Sequence, residues 1–260
     1  MSDKIAEAFN GKKALIVFIT GGDPDIKTTE RLIIAMEEAG ADIIEIGIPF
    51  SDPIAEGVVI QQADERALAG GTNTDSLFEM VKKIRRRVKI PLLFMTYINP
   101  VYRYGKERFM KNCQESGIDG IIVPDLPFEE RDELKNECDK YDVTLISMIA
   151  PTTGDRVEKI AKEAKGFLYC VSSLGVTGIR MEINTNIADM IQRVKAVSQI
   201  PCAVGFGVST PEHVRQIVKI SDGVIVGSSI VRMVSEFGKD CIDPIKHFVS
   251  ELRAGITSLK

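Results

Sequence analysis

Short apolar runs alternate with stretches of helical periodicity along the whole chain. The runs Ala14–Thr20, Asp42–Ile48, Pro91–Tyr97, Gly120–Pro124, Thr144–Ile149, Phe167–Val171, Cys202–Gly205 and Gly223–Val226 predict strands. Between them apolar residues recur at three- and four-residue spacing. Leu32/Ala35/Met36/Ala39, Val157/Ile160/Ala161/Ala164, Ile187/Met190/Ile191/Val194 and Ile245/Phe248/Val249/Leu252 each predict a helix with one inward face. Eight strands, each followed by a helix, fit a (βα)8 TIM barrel of the α/β class better than an open sheet. A polar helix is expected before the first strand, and a short helix starting at Ser228 after the eighth.

The joints repeat. Glu38-Ala-Gly-Ala-Asp42 before the second strand resembles Glu115-Ser-Gly-Ile-Asp119 before the fourth, and Lys89-Ile-Pro91 before the third resembles Gln199-Ile-Pro201 before the seventh. A Gly just past a helix suits a left-handed cap, and a Pro suits the start of a strand. The echoes separate even from odd strands, as expected where alternate strands fill alternate core layers. No linker or composition break divides the chain, so residues 1–260 are expected to form a single domain.

Composition narrows the class. Of the 260 residues, 44% are hydrophobic and 27% charged, enough for a large core, and a net charge of −4 offers nothing to a nucleic-acid backbone. The one basic run, Lys82 to Arg87, lies on a helical pattern with Leu77, Met80, Val81 and Ile84 inward, which predicts a solvated face. The five cysteines are widely spaced with no C-x-x-C pair, which predicts buried, reduced thiols in a cytoplasmic protein. No apolar run approaches membrane-spanning length, and with two histidines and no Cys/His cluster a metal site is not expected.

Chemistry concentrates at the strand ends, where barrel active sites lie. Glu45 stands among isoleucines in the second strand, sharing a face with Ile43 and Gly47. If that face points inward, burial raises the carboxyl pKa toward neutrality and suits it to proton transfer; an outward acid paired with a helix residue is the alternative. Gly205-Phe206-Gly207 follows the seventh strand and Gly227-Ser228-Ser229 the eighth, the places where such barrels often bind phosphate through backbone N–H groups and a helix N-terminus. The loop after the sixth strand, with Gly175, Thr177 and Gly178, reads as a lid or an ordinary flexible loop. Asp125, between prolines, reads mainly as a residue that orders its turn. Phe18, Met95, Tyr97 and Tyr169 lie near strand ends, where core packing competes with pocket lining. These features describe a barrel enzyme acting on a phosphorylated small molecule by acid–base chemistry, with isomerase, epimerase and lyase all open.

Phe18-Ile-Thr-Gly-Gly-Asp-Pro24, Glu45-Ile-Gly-Ile-Pro-Phe-Ser-Asp-Pro53, Gly175-Val-Thr-Gly178, Gly205-Phe-Gly207 and Gly227-Ser228 occur in the order found in tryptophan synthase alpha chains, and the chain resembles that family over essentially its full length. The resemblance implies retro-aldol cleavage of indole-3-glycerol phosphate to indole and glyceraldehyde 3-phosphate, with no cofactor in this chain. It makes Glu45 the general acid–base residue, and Phe18, Met95 and Tyr169 the indole pocket. Gly178, Gly205, Phe206, Gly207, Gly227 and Ser228 match the phosphate cradle, and Thr177 the lid residue that orders the second acid.

One departure stands out. The family's second acid is normally Asp in a D-G-P context, whereas this chain reads Ala55-Glu56-Gly57-Val58. Glu56 keeps the carboxylate on a longer stem in a loop without its proline. The resemblance also implies a pyridoxal-phosphate beta chain as partner in an α2β2 assembly, with Pro49–Pro53 and an Asn99-Pro100 loop facing it. A binding and activating subunit with attenuated chemistry, a stand-alone indole-releasing lyase and a sugar-phosphate isomerase are the competing readings.

Overall fold

The computed structural model describes residues 4–171, 185–205 and 207–257. Its strands are β1 (Ala14–Thr20), β2 (Ile43–Gly47), β3 (Leu92–Met95), β4 (Gly120–Ile122), β5 (Thr144–Ile149), β6 (Leu168–Val171), β7 (Cys202–Gly205) and β8 (Gly223–Val226). They close into a barrel in chain order, with β8 returning in parallel to β1. Four strands have the expected limits, and the other four are shorter. At β3 the reason is chemical: Pro91 has no N–H and contributes only its carbonyl, to the Ile44 amide. At β4 a turn closed by Leu126 N–H on Val123 O removes the last two residues from the ladder.

Alternation sorts the strand residues into two layers. Ala14, Ile16, Ile43, Leu93, Ile122, Ile146, Phe167, Ala203 and Ile225 form one cluster inside the barrel. Leu15, Val17, Ile44, Ile46, Leu92 and Phe94 point outward into a larger cluster with helix residues such as Leu32, Met36, Leu77 and Val81. The N-terminal helix, Lys4–Glu7, is a single turn, and Ile5, Ala8 and Phe9 belong to the inner cluster. Phe9 meets Phe167 at a centroid distance of 5.5 Å, so this segment plugs one end of the barrel. A Cβ on Gly223 would stand 3.0 Å from the Phe9 ring, which explains a glycine at the start of β8.

The repeated joints have a common bond. Asp42, Asp119 and Asp222 precede β2, β4 and β8, and each accepts the N–H that opens β1, β3 or β7, from Leu15 (2.7 Å), Leu92 (2.9 Å) and Cys202 (2.9 Å). Each is paired with a cation: Arg253, Arg85 and Lys195 respectively. Gly117 takes the expected left-handed cap, at φ 88°, where a Cβ would press on Arg85 at 2.7 Å.

Arg85 corrects the reading of the basic run. Lys83 does lie on a solvated face, paired with Glu30, but Arg85 turns in to bond Gly117 O, Ile90 O and Asp119. The helix after β8 runs Ser228–Phe237, starting where expected but longer than a short turn. All five cysteines are buried. Among the described residues no helix is long and apolar enough to cross a membrane.

Candidate active site

Glu45 lies on the inner face of β2. Its neighbour two residues back, Ile43, belongs to the inner cluster, whereas Ile44 and Ile46 belong to the outer one. In register it stands between Phe18 of β1 and Leu93 of β3. It is fully buried, and neither carboxyl oxygen has a hydrogen-bond partner among the described residues. Desolvation disfavours the charged form and pushes the pKa up to about 8. An outward acid paired with a helix is therefore excluded. Glu45 is close enough to Tyr169 to hold that phenol, itself raised first by burial, still higher.

Two rings stand over strand-end glycines. A Cβ on Gly47 would meet Phe18 at 2.8 Å, and one on Gly205 would meet Tyr169 at 3.0 Å. Phe18 clusters with Ala63 and Val231, and Met95 packs against both this group and the barrel interior. Phe18, Met95 and Tyr169 thus surround the region above Glu45 with apolar surface. Tyr97 is not part of β3; it caps the helix Ile98–Tyr104, and its hydroxyl accepts the Ala55 N–H at 3.0 Å.

Glu56 precedes Gly57, the N-cap of the helix Val58–Ala69, and so lies outside that helix's first turn. Gln61 Nε2 donates to Glu56 O at 2.8 Å and ties the loop down. The side chain is half-buried, and its buried Oε2 has no hydrogen-bond partner among the described residues. Burial raises its pKa, while the Asp64 and Tyr97 side chains beside it pull it back. Asp64 was not anticipated from the sequence. The signal was present, an acid at an inward position of the Ile60/Ala63/Asp64/Ala67 stripe, and it is 3% exposed. Arg66 of the same helix grips the buried Asp23 with two bonds of 2.9 and 2.7 Å, fastening the loop after β1.

The loops after β7 and β8 are joined. Gly227 caps the helix Ser228–Phe237, and its carbonyl accepts the Ile230 and Val231 N–H groups. The first N–H groups of a helix, here from Ser228 on, have no intrahelical acceptor and can face an anion. Ser229 Oγ donates to Val208 O at 2.6 Å, drawing the segment after Gly207 toward this helix start. Thr177, Gly178 and Phe206 lie outside the described residues. Asp125 accepts the Ile98 N–H at 2.9 Å, so its side chain ties its loop to the start of the helix Ile98–Tyr104 rather than ordering its own turn. Asn99 and Pro100 belong to the helix Ile98–Tyr104, which corrects their reading as a loop.

A closed parallel barrel with a buried, unpartnered carboxyl group at the outgoing ends of its strands defines an enzyme class that moves protons on a small molecule. A family model described as tryptophan synthase alpha chain matches residues 5–256, and the chain belongs to that family. The tryptophan synthase alpha chain of Caldanaerobacter subterraneus subsp. tengcongensis is 46% identical over 245 residues, 94% of each chain. That of Lacticaseibacillus casei is 41% identical, covering 100% of this chain and 98% of the relative. Among solved structures, tryptophan synthase subunit alpha of Legionella pneumophila superposes with a TM-score of 0.89 at 35% identity, covering 99% of this chain and 100% of that one. A structure of the tryptophan synthase a2b2 complex from Pyrococcus furiosus gives 0.87 at 39% identity, covering 94% and 99%. The chain is accordingly a carbon–carbon lyase of tryptophan biosynthesis, cleaving indole-3-glycerol phosphate to indole and glyceraldehyde 3-phosphate.

Proposed function

We propose that Glu45 and Glu56 divide the lyase chemistry between them. The observation that carries this reading is Glu45, fully buried with no partner among the described residues and with its pKa pushed up to about 8. A protonated Glu45 delivers its proton to indole C3, and the positive charge that results spreads to the ring nitrogen. The Glu45 carboxylate then takes the proton of the hydroxyl beside the breaking bond. The carbon–carbon bond electrons return to the indole, the aldehyde forms, and Glu45 ends protonated as it began. Glu56 accepts the indole N–H and offsets the charge that develops there. Phe18, Met95 and Tyr169 enclose the indole.

Phosphate is held by N–H groups at Gly205, Phe206, Gly207, Gly227 and Ser228, and Gly178 and Thr177 are assigned to the same site by the family resemblance. No Lys or Arg lies between Gly205 and Ser209 or between Gly227 and Val231, so backbone dipoles carry the anion. This chain uses no cofactor of its own; pyridoxal phosphate belongs to a beta chain, its partner in an α2β2 assembly. The assembly named for the Pyrococcus furiosus relative supports that partner.

Indole release, measured with and without a beta chain, tests the assignment. Glu45→Gln is expected to lose about 10²-fold or more in turnover while still binding a substrate analogue, because the amide cannot exchange the proton. Glu56→Ala is expected to cost far more than Glu56→Asp. Near-full turnover in Glu45→Gln would remove that residue from the mechanism. Substantially higher activity in Glu56→Asp than in the parent would favour a mainly binding role for the subunit.

A further inference from the structure

We propose that Thr20 is a specificity-determining residue whose hydroxyl binds the middle hydroxyl of the substrate's glycerol chain, the one that Glu45 does not deprotonate. The inference rests on the places given above to Glu45 and to the phosphate. Thr20 ends β1 and is 3% exposed, and its Oγ1 has no hydrogen-bond partner among the described residues. A buried hydroxyl in that condition has given up its water without a replacement, a cost that a ligand hydroxyl can recover.

Strand alternation turns this hydroxyl toward the barrel mouth. Ala14 and Ile16 belong to the inner cluster, and Phe18 and Thr20 continue that face. The next residue faces the other way: a Cβ on Gly21 would meet Leu77 at 2.7 Å and Ile46 at 3.0 Å, both members of the outer cluster. Phe18 is in register with Glu45, and Thr20 with Gly47, so β2 brings no side chain over the hydroxyl. Two residues of strand place Thr20 about 7 Å nearer the mouth than Glu45. The Glu45 oxygens are as enclosed as Thr20 Oγ1, so burial does not set this hydroxyl apart from a group that meets the substrate.

The barrel order brings the substrate to it. Phosphate is assigned to the loops after β7 and β8 and proton transfer to β2, and β1 is the strand between β8 and β2. The glycerol carbons join the phosphate to indole C3 and therefore pass the outgoing end of β1. The carbon bonded to C3 carries the hydroxyl that Glu45 takes, and the next carbon carries a second one. Of the inner-face residues of β1, Ala14, Ile16, Phe18 and Thr20, only Thr20 is polar. Its hydroxyl both donates and accepts, so it can meet that second hydroxyl in either sense.

The test is a cycle between enzyme and substrate, run on the full chain assembled with a beta chain. Parent, Thr20→Val and Thr20→Ser are compared on indole-3-glycerol phosphate and on the analogue lacking only the middle hydroxyl, which can still cleave to indole and a phosphorylated aldehyde. The parent is expected to favour the natural substrate about ten-fold in kcat/KM, and Thr20→Val less than about two-fold. Thr20→Ser, which keeps the hydroxyl, is expected to retain most of the discrimination. Binding of indole-3-propyl phosphate, which has neither hydroxyl, should change less than about two-fold in Thr20→Val. Melts without ligand should show Thr20→Val no less stable than the parent, because the substitution removes an unpaired buried group. Equal discrimination by parent and Thr20→Val would overturn the proposal, and so would a parent that does not distinguish the two substrates. A lowered melting temperature together with lost affinity for the propyl phosphate would make the hydroxyl structural and overturn it as well. Near-full turnover in Glu45→Gln would instead strike the assignment of Glu45, while the cycle would still report whether Thr20 meets the middle hydroxyl.

Discussion

Glu45 shows how one residue sets function against stability. Its carboxyl pKa rises from 4.5 to about 8 because burial removes water from the charged form and nothing in the barrel replaces it. The unfolded chain therefore sheds this proton near pH 4.5, while the folded chain keeps it to about pH 8. Between those values the folded state binds more protons, so stability from this group is complete below the lower value and falls as pH rises. The loss amounts to about 3 to 5 kcal/mol over the window. Glu45→Gln does not titrate and escapes the loss. Denaturant unfolding at several pH values should show the variant gaining on the parent from pH 4 to pH 8; a constant difference across that range would mean that the carboxyl is not neutral in the fold. Such a cost was legible in the sequence, because an acid among isoleucines in a strand has few inexpensive positions. Asp64 was not. One acid on a helical stripe looks like an interruption of that stripe.

Among the elements, the joints matter more than their composition suggests. The strands were readable because apolar runs between Gly, Pro and Asp have few alternatives, and at β3 and β4 the misread ends are those where a proline or a turn interrupts the ladder. The aspartates before β2 and β4 were visible only as echoes, and Asp222 before β8 was not singled out. In the fold each closes the start of a neighbouring strand and holds a cation against it. Arg85 was read as solvated because a basic run on a helix usually is, yet its side chain is 13% exposed and bonded to Asp119 and three carbonyls. Burial decides the relative worth of such pairs. Asp119→Ala strips the Leu92 N–H of its acceptor and leaves Arg85 without its counterion, a loss of about 2 to 4 kcal/mol. Lys83→Ala breaks a pair whose lysine is 69% exposed and should cost less than about 1 kcal/mol. Thermal melts of the two variants should separate clearly; equal midpoints would mean that the strand-start aspartates contribute no more than surface pairs.

Across the whole molecule the barrel's two ends are built on opposite principles. At the closed end Ile5, Ala8 and Phe9 fill the interior and the aspartates satisfy strand starts, so polar groups there have partners. At the other end Glu45 has no partner among the described residues, and the loop that carries Glu56, with the helix start after it, presents Ile54 at 80% and Val58 at 63% exposure. Single exposed apolar residues are ordinary, but two of them flanking Glu56 bring exposed apolar surface and a candidate acid together on one short segment. A beta chain covering Ile54 would restrict the Ala55-Glu56-Gly57 backbone, which is tied to the barrel by Tyr97 and Gln61. Contact would then raise turnover by ordering the acid rather than by adding a group to the site. Ile54→Glu is therefore expected to reduce the stimulation of indole release by a beta chain about ten-fold, while turnover of the isolated chain changes by less than about two-fold. Titrating beta chain against parent and variant measures both quantities. Undiminished stimulation in the variant would place the partner on another face of the barrel.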